Sequence, residues 1–237
     1  MSRIAALIPA AGRSSRYGRS KQLVEVHGRS LLQHAVDRAN HVVPGAVFVV
    51  TGAEHQAIAE TLRDAATIHN PAWRDGLGGS IACGVARVAS DYDAILIVLA
   101  DQVALTAEDL QRLCDGFDGG NIVCARYRER RGVPALFCRE SFPRLLRLTG
   151  DRGAQALLYD AGFRVSEVAM ENAAVDIDTG PCPTEHTAIT HGRRRSIPDD
   201  KGLQRASAAA TAPIHHRQPA VPRLQPPPCH PAAACAG

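Results

Sequence analysis

The chain has 237 residues, 45% of them hydrophobic and 22% charged, which allows one sizeable core or at most two small domains and is the balance of a soluble globular protein. Aromatic residues make up only 4%, which argues against a stacking platform for nucleic acid, and no apolar run approaches the roughly 18–20 residues needed to cross a bilayer. The formal net charge of +3 belongs to one end: residues 188–237 hold seven Lys and Arg against two Asp, so a basic, nucleic-acid-binding globular domain is not indicated.

In chain order, Arg3–Ile8 reads as a first strand running straight into glycine and arginine. It lacks the longer apolar region and cleavage site of a signal peptide, which assigns the protein to the cytoplasm. Ser30–Asn40 reads as a helix, with Ser30 placed to cap it and Leu31, Leu32, Ala35, Val36 and Ala39 on one face. A strand at Val47–Thr51 and a helix at Glu54–Arg63 follow, and Leu77–Val88 reads as a third helix after the loop around Asn70–Gly76. Asp93–Ala100 is the most apolar strand, unbroken from Ala94 to Ala100, as suits a central parallel strand covered on both faces. Thr106 then caps a helix over Ala107–Phe117, with Asp109 three residues on. Further strands are expected near Asn121–Ala125, Val133–Phe137 and Phe163–Val168, with helices near Glu140–Arg147 and Ala154–Tyr159. The alternation predicts a doubly wound α/β sheet whose ligand lies outside the carboxyl ends of the strands.

From about residue 188 the pattern changes. The segment 188–237 holds 8 of the 15 prolines, runs of alanine and no sustained apolar periodicity. It cannot bury enough apolar surface to offset chain entropy, so a disordered basic tail is expected after a domain over residues 1–187. The seven cysteines show no Cys-x-x-Cys and no metal-ligand spacing, and read as reduced, structural thiols.

Two polar signals fall where the sheet should bind its ligand. The first is Ala10-Ala11-Gly12-Arg13-Ser14-Ser15-Arg16, with Lys21 beyond it: small residues, free amides and cations just after a strand, suited to a phosphate. The spacing is neither that of a P-loop nor that of a dinucleotide-binding turn. The second is Asp101, at the end of the apolar strand, placed either to hold Mg2+ between triphosphate oxygens or merely to cap the following turn. Asp176 and Asp178 alternate along an extended segment, so their side chains share a face and one or both could complete a metal site.

These residues together resemble a known family. Pro9-Ala10-Ala11-Gly12, Arg16 and Lys21-Gln22-Leu23 are similar to the signature of the nucleotidyltransferases that mature the molybdenum cofactor. Thr51-Gly52-Ala53-Glu54, the stretch from Asn70-Pro71 through Trp73, Gly76 and Ser80 to Gly84, and Ala100-Asp101-Gln102 resemble its following blocks. Pro134-Ala135-Leu136-Phe137, Gly150-Asp151-Arg152-Gly153-Ala154 and Asp176-Ile177-Asp178-Thr179 continue in the family's order. The resemblance covers roughly residues 3–180 and implies a Rossmann-like, three-layer nucleotidyltransferase domain with a mostly parallel central sheet. It implies transfer of a nucleoside monophosphate to the terminal phosphate of molybdenum-bound molybdopterin, giving a dinucleotide cofactor and pyrophosphate. Pro9-Ala10-Ala11-Gly12 resembles the cytidylyl branch, so CTP is the expected donor.

The implied site has Lys21 at the α-phosphate, Arg16 at the leaving phosphates and Asp101 on Mg2+, with Asp176 and Asp178 as further metal ligands. Ala10, Ala11, Gly12, Arg13, Arg16 and Lys21 hold the nucleotide. Gly79 and Ser80 either face its base or form a glycine-rich helix entry. A molybdoenzyme or chaperone is the implied transient partner.

The chain departs from the family pattern in two places. Val103 stands where a proline commonly follows Asp-Gln, which is expected to loosen the turn carrying Asp101. After Thr179, Gly180-Pro181-Cys182-Pro183 would prevent the family's last helix from starting in register, as though the sequence had left its ancestral reading frame. Two other readings stay open: transfer from GTP or onto a sugar phosphate or other phosphorylated acceptor, and a chaperone that holds the cofactor without turnover.

Overall fold

A computed structural model describes residues 2–12 and 21–175. Arg13, Arg16, Asp176, Asp178 and the expected tail lie outside the described residues.

The strands are β1 (Ile4–Ala10), β2 (Glu25–Val26), β3 (Arg29–Ser30), β4 (Val47–Thr51), β5 (Ala66–His69), β6 (Ala94–Ile97), β7 (Ile122–Tyr127), β8 (Arg130–Cys138) and β9 (Val165–Ala169). The helices are α1 (Leu31–Val42), α2 (His55–Thr61), α3 (Leu77–Val88), α4 (Ala107–Asp115) and the single turn α5 (Phe142–Leu145). Among the described residues seven strands form one sheet in the order β5-β4-β1-β6-β8-β7-β9, while β2 and β3 pair as a separate hairpin. Every neighbouring pair in the large sheet is parallel except those made by β8, which runs against both β6 and β7.

The near-absence of polar residues in β1 follows from its central place. Ala6, Ile8 and Ala10 join α1, α2 and α4 in the core on one face, while Ala5 and Leu7 join α3 and α5 on the other. The result is the expected three-layer α/β domain. Ser30 caps α1, its hydroxyl accepting from the Gln33 amide at 3.1 Å. Thr106 and Asp109 form a reciprocal capping box on α4.

Several elements differ from expectation. The ladder between β6 and β8 stops at Ile97, paired with Ala135. Val98 still donates its amide to the Leu7 carbonyl of β1 at 3.1 Å, and Leu99 and Ala100 lead on from there to Asp101. The helix expected over Glu140–Arg147 is a 3-10 turn followed by α5, with Pro143 in its first turn, and Ala154–Tyr159 is a 3-10 helix. The hairpin of β2 and β3 was not anticipated. It turns through His27 and Gly28, both at positive φ (51° and 74°), the backbone a two-residue hairpin requires.

Candidate active site

The site begins where β1 ends. Ala10 and Ala11 are both buried in the core, and Gly12 after them is exposed. A methyl group added at Gly12 would meet nothing within 4 Å among the described residues, which leaves its backbone approachable from their side. The turn is braced from behind. Ala53 donates its amide to the Ala11 carbonyl at 3.1 Å, and a side chain at Gly52 would sit 2.6 Å from that oxygen and 2.5 Å from Trp73 Cβ. Gly52 is thus a contact surface for the first turn. Gln22 Nε2 donates to the Gly12 carbonyl at 2.9 Å, a role for which its place beside Lys21 was the sequence signal.

Lys21 opens a short 3-10 turn, Lys21–Leu23, and Lys21 is buried there. Its Nζ lies 3.3 Å from Asp101 Oδ2, the two side chains being 10% and 32% exposed. The expected loosening of the turn after Asp101 is not what the structure shows. Gln102, only 3% exposed, donates through Nε2 to the Val133 carbonyl at 2.8 Å and to the Ala173 carbonyl at 2.9 Å. Val103 donates to the Asp101 carbonyl at 2.9 Å. Hydrogen bonds replace the rigidity a proline would have supplied.

A cavity of about 250 Å³ lies between Gly12, Lys21, Leu77, Leu99 and Asp101. A second, of about 340 Å³, adjoins it and is lined by Ala11, Gly12, Trp73, Gly76, Ser80 and Asp151. Ser80 is buried, accepting from Asn70 Nδ2 at 3.2 Å and donating to the Gly76 carbonyl at 3.3 Å. The structure therefore gathers Ala11, Gly12, Lys21, Ser80 and Asp101 around two adjoining cavities. Gly79 lines neither, and a side chain added there would first meet Asp75 Cβ, at 3.8 Å. Leu77 and Asp151, not singled out by sequence reasoning as site residues, line the site; their residue types alone carry no signal of it.

Among the described residues no three His, Cys, Asp or Glu side chains converge on a point. Asp101 nonetheless suits a divalent ion that arrives with a nucleotide, because Mg2+ is commonly held by one or two carboxylates plus substrate phosphates. Near the site, burial pushes the Asp109 carboxyl up, but hydrogen bonds from Asn172 and from the Thr106 amide and hydroxyl outweigh it and hold the group below the usual carboxylate range. Asn172 also donates to the Ala104 carbonyl at 3.1 Å, fastening the last described segment to the loop that follows Asp101.

Known proteins are similar to this chain in sequence and in architecture. The bifunctional protein GlmU of Rhodopseudomonas palustris (strain ATCC BAA-98 / CGA009) is 34% identical over 128 residues, covering 52% of this chain and 28% of that protein. This chain therefore matches little more than a quarter of the length of that relative. The purine catabolism protein PucB of Bacillus subtilis (strain 168) is 25% identical over 193 residues, covering 76% of this chain and 92% of that one. The crystal structure of Rv0371c from Mycobacterium tuberculosis H37Rv superposes with a TM-score of 0.64 at 26% identity, covering 72% of this chain and 89% of that one. A manganese complex of the same mycobacterial protein superposes with a TM-score of 0.62 at 25% identity, covering 76% and 94%. Residues 6–167 match the MobA-like NTP transferase domain, from the first strand through both sides of the cavity pair to β9, and the chain belongs to that family of nucleotidyltransferases.

Proposed function

We propose that this nucleotidyltransferase transfers CMP from CTP to the terminal phosphate of molybdenum-bound molybdopterin, releasing pyrophosphate. The observation that carries the reading is the Lys21–Asp101 pair facing the open backbone of Gly12 at the carboxyl ends of β1 and β6. The choice of CTP is supported by Pro9-Ala10-Ala11-Gly12, and the choice of acceptor by the order of blocks from Thr51 to Ala154.

Mg2+ brought with the nucleotide would be held by Asp101, with Asp176 and Asp178 as further oxygen donors, and supplies charge neutralisation at the phosphate oxygens. The chain's own groups bind and orient. Gly12 lets the backbone approach the phosphates, Lys21 donates to an α-phosphate oxygen, and Arg16 meets the leaving β- and γ-phosphates. The acceptor phosphate is already ionised at neutral pH, so its oxygen attacks the α-phosphorus in line while the bond to pyrophosphate breaks, and no general base is needed.

Pyrophosphate release from MgCTP is expected only when molybdenum-bound pterin is supplied, and is expected to fall roughly a hundredfold in Asp101→Ala. Equal turnover with GTP overturns the choice of nucleotide. Turnover on a sugar phosphate overturns the choice of acceptor, and tight MgCTP binding without pyrophosphate release makes the protein a carrier.

A further inference from the structure

A third cavity, of about 330 Å³, adjoins the other two. It shares Leu77 with both, Leu99 with the one beside Lys21, and Asp151 with the one beside Ser80. Ile81 and Ile97 form an apolar, buried floor, and Leu99 and Val133 add to its apolar lining. None of its described lining residues is Lys, Arg or His. Its charged group is Asp151, whose carboxylate has no hydrogen bond or ion pair among the described residues. The other polar side chains are already engaged: Tyr127 donates its hydroxyl to the Val133 carbonyl at 3.2 Å, and Gln155 Nε2 donates to the Arg131 carbonyl at 3.0 Å.

Asp151 is held in place from the α3 side. The Gly78 amide donates to the Gly150 carbonyl at 2.8 Å, and a Cβ at Gly78 would lie 2.7 Å from the Arg152 carbonyl. Leu77, the first residue of α3, is 36% exposed although it stands where all three cavities meet. Ligands filling them would cover its apolar surface.

These facts limit what the third cavity accepts. An anionic head meets no cation among the described lining residues and is repelled by Asp151, so a phosphate stays at the mouth, where Leu77 and Leu99 border Lys21 and Asp101. A polyol body would leave hydroxyls against Ile81, Ile97 and Val133 without partners, which is costly. A heterocycle buries its faces there and presents a ring edge to the carboxylate, which pairs best with two parallel N–H donors. We propose that this cavity is the ring subsite of the acceptor and that Asp151 selects a two-donor N–H edge such as that of an aminopyrimidinone. The assignment rests on the pterin phosphate acceptor proposed above.

The test titrates the full chain against 6-hydroxymethylpterin and against 6-hydroxymethyllumazine, in which oxygen replaces the 2-amino group, following ring fluorescence with and without MgCTP. The wild type is expected to prefer the pterin by about tenfold or more. That preference should vanish in Asp151→Asn and return in part in Asp151→Glu. The proposal is overturned if the wild type binds MgCTP but not the pterin, if the preference survives in Asp151→Asn, or if glucose 1-phosphate displaces the pterin. Failure to bind MgCTP instead counts against the nucleotidyl-transfer reading, since ring binding is measured without nucleotide as well.

Discussion

Lys21→Met separates the two roles of the buried lysine. The substitution removes the ammonium and keeps most of the stem, while Asp101 loses a cation 3.3 Å away. At an effective dielectric near 20 that distance corresponds to about 5 kcal/mol of attraction. Desolvation of a side chain only 10% exposed opposes most of it, and the 32% exposed carboxylate can recover water once its partner is gone. The expected loss of stability is therefore about 1 kcal/mol, read from urea midpoints at unchanged slope. Turnover should respond far more strongly. A charge-assisted hydrogen bond from Lys21 to a phosphate oxygen contributes about 1.5–3 kcal/mol. If it forms in the transition state, pyrophosphate release falls roughly ten- to 150-fold. Both measurements are made on one preparation, with Asp101→Asn and the double variant completing the cycle. A turnover loss below about threefold beside a stability loss of several kcal/mol would refute the argument and make Lys21 a structural counter-ion.

Two glycines offer opposite outcomes. A Cβ at Gly84 would lie 2.6 Å from Leu7 Cδ1 and 2.7 Å from Val50 Cγ2, so Gly84→Ala should destabilise the fold by about 1–3 kcal/mol in urea unfolding. Gly12→Ala meets nothing within 4 Å among the described residues, so calorimetry should show weakened MgCTP binding with the urea midpoint unmoved. The depressed Asp109 group makes stability depend on acid: its contribution is fully present above the ordinary carboxylate value of about 3.9 and is lost as the pH falls through the lower native value. Asp109→Asn should accordingly be less stable than wild type at neutral pH, with the gap closing in acid; a gap constant with pH contradicts this. Burial pushes the thiols of Cys114 and Cys124 up to about 11, so peptide mapping after alkylation at neutral pH should find both unmodified in the native protein and labelled once urea unfolds it.

Much of the architecture was legible because it rests on local signals. The caps at Ser30 and Thr106, the helix Leu77–Val88 and the strand Val47–Thr51 each follow from periodicity and capping chemistry within a dozen residues. Lys21 and Asp101 were legible too, since a cation after the first strand and a carboxylate after the most apolar one must both reach the carboxyl end of a parallel sheet. Edges and joins were not. The strand β5 is a short edge element with no buried residue, so its sequence lacks the apolar run of a central strand. The pairing of β8 with β6 joins residues 38 to 44 positions apart, which no local pattern encodes.

The sequence by itself determined the layered α/β class and that a glycine-bearing turn, Lys21 and Asp101 stand after the first and the most apolar strands, because alternation, capping and residue chemistry act over short distances. Only the tertiary structure decided how that pair is held and what lies beside it. Gln102 reaching to Val133 and Ala173, Gly52 pressed on Ala11, and Asp151 brought to Leu77 join residues from 31 to 74 positions apart. Such contacts arise when packing of the whole sheet brings distant loops to one end, and their chemistry exists only there.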